Sequence, residues 1–320
     1  MNEAVFPDDD VDPEIRDWLG RMFASSAALG SRPGLTPVER RAIAEAQRAP
    51  LQQGGPAMAA SETLTVGVSG IRIRIHRPTT GADLPVLVYL HGGGWTLFSI
   101  DSHDRLMREY AERAGVAVLG IDYPLAPESR FPAAPRSIAD VLGWLQAHGS
   151  EHGLDASRFA IGGDSAGANL SVSAALRLRA EGGPMPRGLL LNYGAFDGTW
   201  APSYERYGDG DRYMLTGPEM DEFWASYLGD DWATSPPDPL ARPLHADLSC
   251  LPPTWLCTAR CDILLDENVA MAERLVDAGV DTQMHIYDGA THSFLEAMSV
   301  SRIADRALTE ASEWLAQRLA

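Results

Sequence analysis

Cysteine is scarce in this chain, cations are outnumbered, and no apolar run is long. Cys250, Cys257 and Cys261 cannot all pair, and their spacings of 7 and 4 positions lack the paired C-x-x-C of a zinc knuckle. A disulfide scaffold and a structural metal are therefore set aside, and three buried, reduced thiols are expected, as suits a reducing compartment. The longest apolar stretches, such as residues 86–90, are far too short to cross a bilayer, so no membrane insertion is expected. The opening MNEAVFPDDDVDPEIRDW has neither the basic n-region nor the apolar h-region of a secretory signal, which points to a cytoplasmic location. Arg and Lys number 26 against 44 Asp and Glu, a net charge of −18. That field repels phosphate backbones and anionic membrane surfaces alike, so no nucleic-acid partner is expected.

What remains is the composition of an ordinary enzyme core. Hydrophobic residues make up 45% and charged residues 22% of 320, enough apolar side chain for one sizeable core and too little charge for global disorder. Residues 1–60 read as helix and loop: Ile15, Trp18, Leu19 and Met22 form one stripe, and Thr36-Pro37-Val38-Glu39 has the form of a capping box. Such short helices cannot bury themselves alone and must lie on something. After the break at Gln53-Gly54-Gly55-Pro56, Ile71, Ile73 and Ile75 alternate with Arg72, Arg74 and His76. That alternation predicts an edge hairpin with one wet face, on which His76 is solvated.

From LPVLVYL onward, unbroken Val/Ile/Leu runs alternate with helical segments, the pattern of a mostly parallel sheet with helices on both faces. Open sheets of this kind build their sites at the carboxyl ends of the strands. The alternation lapses between Phe196 and about Leu251, a stretch rich in Asp, Pro, Trp and Tyr with one clear helix after Thr216, and the insertion proper is placed near residues 196–235. An insertion there is well placed to cover a site. The expected division is 1–60 as N-terminal cap helices and 61–320 as the catalytic core carrying the insertion.

Gly163-Asp164-Ser165-Ala166-Gly167 fits G-x-S-x-G between the strand RFAIG and the helical run ANLSVSAALRLRA. A nucleophile on so sharp a turn needs small neighbours, because side chains there collide as the backbone reverses. A serine hydroxyl also needs a base, and the base an orienting carboxylate. Asp262 follows the strand PTWLCTA, 97 positions after Ser165, and His292 follows TQMHIY and the loop DGAT, 30 further on. Asp266 and Glu267 compete as the acid but begin a helix, where negative charge has a local reason, and Asp288 can close a turn. Among the eight histidines, His285 alternates within a strand, while His148, His152 and His245 sit in surface contexts.

His91-Gly92-Gly93-Gly94-Trp95 lies behind an inner strand. Two of the glycine N–H groups, with that of Ala166, would make a three-donor hole for the oxyanion of acyl transfer. His91 is then a brace for the loop, and metal ligation is disfavoured because His103 and Asp104 are the nearest partners. Trp95, Leu97, Phe98, Phe196, Met214 and Trp224 are the candidate pocket lining, with Tyr204 and Phe223 beside them in the insertion. Core packing is the competing role for Phe223 and Trp224. An aromatic cover with several acids favours a small neutral or cationic ester.

HGGGW, GIDYPLAPESRFPAA, GGDSAGAN, the aspartate of CDILLDE and the histidine of THSF, in that order, resemble the bacterial hormone-sensitive-lipase-like (family IV) esterases. The resemblance spans residues 60–320 and is strongest to the acetyl esterase branch. It implies an α/β-hydrolase fold with a helical cap and cofactor-free hydrolysis of short-chain esters, acetyl to butyryl, through an acyl-enzyme. It assigns Ser165, Asp262 and His292 as the triad and Gly93, Gly94 and Ala166 as hole donors, with no metal. The partner implied is a small-molecule ester, with a homodimer as the candidate assembly. Pro124, Ala168, Cys261 and Ser293 depart from the family pattern, Ser293 standing where glycine is usual. Two other readings stay open: a deacetylase or amide hydrolase of a specialised metabolite, and a non-catalytic ligand-binding homologue.

Overall fold

Eight strands order themselves as one sheet in a computed structural model that describes residues 10–81, 83–210 and 212–320. Helices α1 (Pro13–Ala28) and α2 (Pro37–Arg48) come first, α1 capped by Asp12 and α2 by the Thr36–Glu39 box. The stripe Ile15, Trp18, Leu19, Met22 is the buried face of α1. The first nine residues of the expected 1–60 segment lie outside the described residues.

The hairpin β1 (Ala60–Val66) and β2 (Ile71–Arg77) forms the antiparallel edge, turning at Gly67 and Gly70. Ile71, Ile73 and Ile75 point into the core. The other face of β2 keeps Arg72 partly exposed but is dry at His76, which corrects the reading of that residue. Its ring is 1% exposed, with Nδ1 2.8 Å from Ser61 Oγ and Nε2 3.2 Å from Asp104, because the helix that begins at Asp104 lies over it.

The parallel part runs β3 (Leu84–Leu90), α3 (Asp104–Ala114), β4 (Ala117–Asp122), α4 (Ala133–His148), β5 (Leu154–Asp164), α5 (Ala166–Glu181) and β6 (Leu189–Asn192). After α6 (Pro202–Tyr207) and α7 (Gly217–Leu228) come β7 (Thr254–Cys261), α8 (Leu265–Asp277), β8 (Thr282–Thr291) and α9 (Arg302–Leu319). The strand order is β1-β2-β4-β3-β5-β6-β7-β8. After β3 the chain first steps outward to β4 and then returns to β5 on the other side. The connections leaving β3 and β5 therefore diverge, and a crevice opens between their carboxyl ends. Leu90 pairs with Gly163 across that point, so the glycine loop and the G-x-S-x-G turn emerge side by side.

Two details differ from the sequence reading. DGAT is no loop: β8 continues to Thr291, with Gly289 at φ 78 absorbing an irregularity in its pairing to β7. Cys257 and Cys261 are buried, but Cys250 is exposed at φ 58. Among the described residues no helix is long and apolar enough to cross a membrane.

Candidate active site

Ser165 sits between β5 and α5 at φ 53, ψ −118, a conformation that L side chains rarely adopt. The strain is held by its neighbours. A Cβ on Gly163 or on Gly167 would run into the Leu90 carbonyl, so both must be glycine for the turn to nest against β3. The Ser165 N–H donates to the Asn192 carbonyl at 2.8 Å, which ties the turn to β6.

Strands β7 and β8 deliver the other two groups. Asp262 directly follows β7 and is 1% exposed; its Oδ1 accepts the Leu264 N–H at 2.9 Å, which leaves Oδ2 for the imidazole. His292 directly follows β8. Its Nδ1 stands 2.7 Å from Asp262 Oδ2, and its Nε2 3.0 Å from Ser165 Oγ. Carboxylate, imidazole and hydroxyl form one hydrogen-bonded chain. Burial works to lower the proton affinity of His292, but the charge and hydrogen bond of Asp262 outweigh it and hold the ring above its ordinary 6.5. The Tyr193 ring packs edge-on at 5.1 Å and limits the tilt of the imidazole. Ser293 adopts φ 61, the left-handed region, which explains why glycine is usual there.

The rival acids have other partners. Glu267 Oε2 accepts the N–H groups of Phe196, Asp197 and Gly198 at 3.1, 2.8 and 3.2 Å, where the chain leaves β6 for α6 and α7. Burial nonetheless pushes its carboxyl up to about 7. Asp266 accepts from the Ser203 N–H, and Asp288 pairs with Arg260.

The glycine loop is a tight turn with Gly93 at φ 108 and Gly94 at φ 56. The Gly93 carbonyl accepts from Thr96 and Leu97 N–H at 3.0 and 2.9 Å. Across a trans peptide the Gly94 N–H points opposite to that carbonyl, out of the turn. Ala166 is the first residue of α5, where no preceding carbonyl is in register to accept its N–H. Gly92 is spoken for: its N–H donates to Asp164 Oδ1 at 3.1 Å. That separates Gly93 and Gly94 from the third glycine.

Asp164 and His103 escaped the sequence reading. Asp164 is 2% exposed and also accepts from Tyr89 Oη at 2.7 Å, with His103 Nε2 at 3.4 Å. Burial would raise its carboxyl, but His103 and the hydrogen bonds hold it below the usual range. The available signal was an ionisable residue in an otherwise apolar and glycine-rich turn, where an acid requires partners. His91 is 1% exposed, donates Nδ1–H to the Gly92 carbonyl at 2.8 Å and stacks on Tyr123 at 4.3 Å. Burial, with His103 nearby, lowers it to about 4, so the ring is neutral and fixed. His285 stacks on Trp255, His245 pairs with Asp197, His148 with Glu151 and His152 with Glu62.

A cavity of about 750 Å³ meets Ser165 and His292 and is walled by Gly93, Gly94, Leu97, Phe98, Met214 and Phe223. Three proposed lining residues are elsewhere. Trp95 is 1% exposed and stacks on Tyr227 at 4.5 Å, Trp224 packs against Trp95 at 4.4 Å, and Phe196 is fully buried. Large rings gain more by leaving water altogether than by fringing a cavity: Trp95 and Trp224 complete the core beneath α7, and Phe196 lies wholly in the core. Tyr204 lines a separate pocket with Trp200 and Asp221. The far wall comes instead from α1 and α2, through Phe23, Ile43, Ala44 and Arg48. Among the described residues no cluster of three or more His, Cys, Asp or Glu could hold a metal.

A family model described as the alpha/beta hydrolase fold matches residues 87–296. The ethyl acetate hydrolase of Pseudomonas putida is 37% identical over 258 residues, 77% of this chain and 78% of that protein. The acetyl esterase of Salmonella paratyphi A is 32% identical over 256 residues, 78% of this chain and 76% of that one. Among solved structures, an esterase of Pyrobaculum calidifontis superposes with a TM-score of 0.87 at 30% identity, covering 97% of this chain and 100% of its own.

Proposed function

Since the chain belongs to the α/β-hydrolase family, and within it to the hormone-sensitive-lipase-like esterases, we propose that it is a carboxylic ester hydrolase acting through Ser165, His292 and Asp262. The observation that carries the assignment is the hydrogen-bonded chain of 2.7 and 3.0 Å ending at a strained serine on the cavity wall. Ser165 Oγ passes its proton to His292 Nε2 as it attacks the ester carbonyl, and Asp262 stabilises the resulting imidazolium. The oxyanion is received by the N–H groups of Gly93, Gly94 and Ala166. Collapse expels the alcohol, which takes its proton from His292. A water deprotonated by the same ring then cleaves the acyl-enzyme and releases the acid.

The acyl group is short, acetyl to butyryl; the names of two relatives, an ethyl acetate hydrolase and an acetyl esterase, support the acetyl end of that range. A cavity of about 750 Å³ is drug-sized, so the bulk of the substrate lies on its alcohol side. Helices α1 and α2, with residues 196–235, act as the cap over the 61–320 core. Three free thiols support a cytoplasmic location, and the outer edge of β8 at the end of the sheet supports assembly as a homodimer. Replacing Ser165 by alanine is expected to lower p-nitrophenyl acetate turnover by at least ~10³-fold with an unchanged circular dichroism spectrum. Turnover within tenfold of the unaltered chain would reject the assignment. A p-nitrophenyl series from acetate to octanoate checks the acyl limit.

A further inference from the structure

Helix α2 ends on a buried cation. Arg48 is 6% exposed, and its guanidinium forks onto Glu296, Nε to Oε2 at 3.0 Å and Nη2 to Oε1 at 3.5 Å. A third nitrogen, Nη1, donates to Gln47 Oε1 at 2.5 Å, and the guanidinium carbon lies 4.3 Å from the centre of the Phe98 ring. Both contacts lead to the chemistry. Glu296 is on the short turn Phe294–Ala297, whose N–H at Glu296 returns to the Ser293 carbonyl at 3.0 Å, next to the base. Phe98 follows the glycine loop at φ 70 and lines the cavity with Arg48, Ser165 and His292.

Packing alone does not call for an ion pair here, since apolar side chains of similar volume fill buried sites at least as well. The charges around the base give the pair a second role. His292 faces Asp262 from the end of β7, Asp164 from the end of β5 and Glu296 from its own turn, while Tyr193, just after β6, presents its ring edge. All three charges are carboxylates. Glu296 in turn faces the Arg48 guanidinium from α2 and the His103 ring from just before α3. Arg48 is the one that touches it.

We propose that Arg48 is a positioning residue of the reaction, acting through Glu296 to lock the turn that carries His292 onto α2 and to balance a carboxylate outside the triad. This rests on the reading of His292 as the base. A lock without electrostatic work would affect kcat alone; a balancing charge also moves the pH profile. Arg48→Met leaves the carboxylate uncompensated, and Glu296→Gln leaves the cation uncompensated, so the two move the titration of His292 in opposite directions.

The test measures kcat and KM for p-nitrophenyl acetate from pH 5 to 9 in R48M, E296Q, R48M/E296Q and R48K. R48M is expected to lose about tenfold in kcat with KM within about threefold, and to raise the acid limb of kcat/KM by roughly half a pH unit. E296Q lowers that limb by a similar amount, and the double variant returns it and recovers most of the kcat. R48K keeps the limb in place and loses several-fold in kcat, because an ammonium cannot fork onto a carboxylate. Limbs that stay put in both single variants, shift the same way, or losses that simply multiply in the double variant overturn the proposal. If R48M fails to fold, an unmoved limb in E296Q still overturns it. Labelling of the unaltered chain by an organophosphonate is read in parallel. A probe found anywhere but Ser165 fails the catalytic assignment and this inference with it, whereas labelled Ser165 with an unmoved limb fails this inference alone.

Discussion

One methyl group at Gly94 tests where the oxyanion is held. Gly94 lies at φ 56, so alanine there costs about 1–2 kcal/mol of backbone strain. Its Cβ would also overlap the ring of Phe223, which is 8% exposed on α7, and such overpacking costs a further ~1–3 kcal/mol. The nearest ring carbons lie well inside van der Waals contact of that Cβ, so something must shift. Phe223 is a side chain on a helix, whereas the loop is pinned by the Gly93 carbonyl and the Gly92 N–H. Even so, relief by the ring alone leaves the backbone strain, and a shifted Gly94 N–H loses the oxyanion. Loss of one donor in an oxyanion hole costs about 10²–10³ in kcat. Gly94→Ala is therefore expected to lower kcat for p-nitrophenyl acetate about 10²-fold, with KM within about threefold because ground-state contacts persist. In Gly94→Ala/Phe223→Ala the overlap is gone and the strain stays, so at least about tenfold of the loss returns. Full kcat in the single variant would show that the Gly94 N–H plays no part; no relief in the double would show that Phe223 does not press on the loop.

Other outcomes follow from the same geometry. His292 must be neutral to accept the serine proton, and its folded-state affinity is raised, so activity is lost as pH falls through a midpoint above 6.5. An acid limb of kcat/KM at or below 6.5 contradicts this. Asp262→Asn removes the cause of the rise and, by analogy with other triads, lowers kcat about 10⁴-fold; titrating His292 by NMR in Ser165→Ala backgrounds should show its pKa drop. Trp224→Ala opens the core beneath α7 and should cost about 3–5 kcal/mol in urea unfolding while the acyl-length profile is unchanged. Met214→Trp does the reverse, keeping stability and confining turnover to the shortest esters, since Met214 faces the cavity. A changed profile in Trp224→Ala with stability intact would place Trp224 back on the pocket wall.

The nucleophile and its two partners could be read from the chain because their constraints are local. A strand ending in Gly163, a serine forced to φ 53, and Gly167 against the Leu90 carbonyl are demands that one turn makes on five consecutive residues. Asp262 and His292 each stand at a strand end, and parallel strands place their ends on one rim. The pocket lining has no such local signature. Trp95, Phe196 and Trp224 suit a cavity wall and a core equally by composition, and only tertiary packing, for the two tryptophans the docking of α7, decides between them. His76 shows the same limit on a strand. Alternation separates two faces, but whether the second face is wet depends on α3, which lies over it with Asp104.

Periodicity also misses what fixes α2 across the site. Only Ala44 and Arg48 of that helix are buried, too little apolar surface to hold it by burial alone. Its ties are arginines. Arg41 donates to the carbonyls of Thr96 and Ala126 and pairs with Glu128, Arg40 pairs with Glu222 on α7, and Arg48 forks onto Glu296. The chain contains no lysine, so all 26 of its side-chain cations outside histidine are guanidinium groups. A guanidinium carries five donors in a rigid plane and can bridge a carbonyl and a carboxylate at once, which an ammonium on a flexible stem does poorly. In a protein of net charge −18 these few cations are worth most where two elements meet over buried acceptors. A hydrophobic stripe reveals that a helix must lie on something; here the partner is chosen by the arginines, and they set α2 between the glycine loop and the turn of the base.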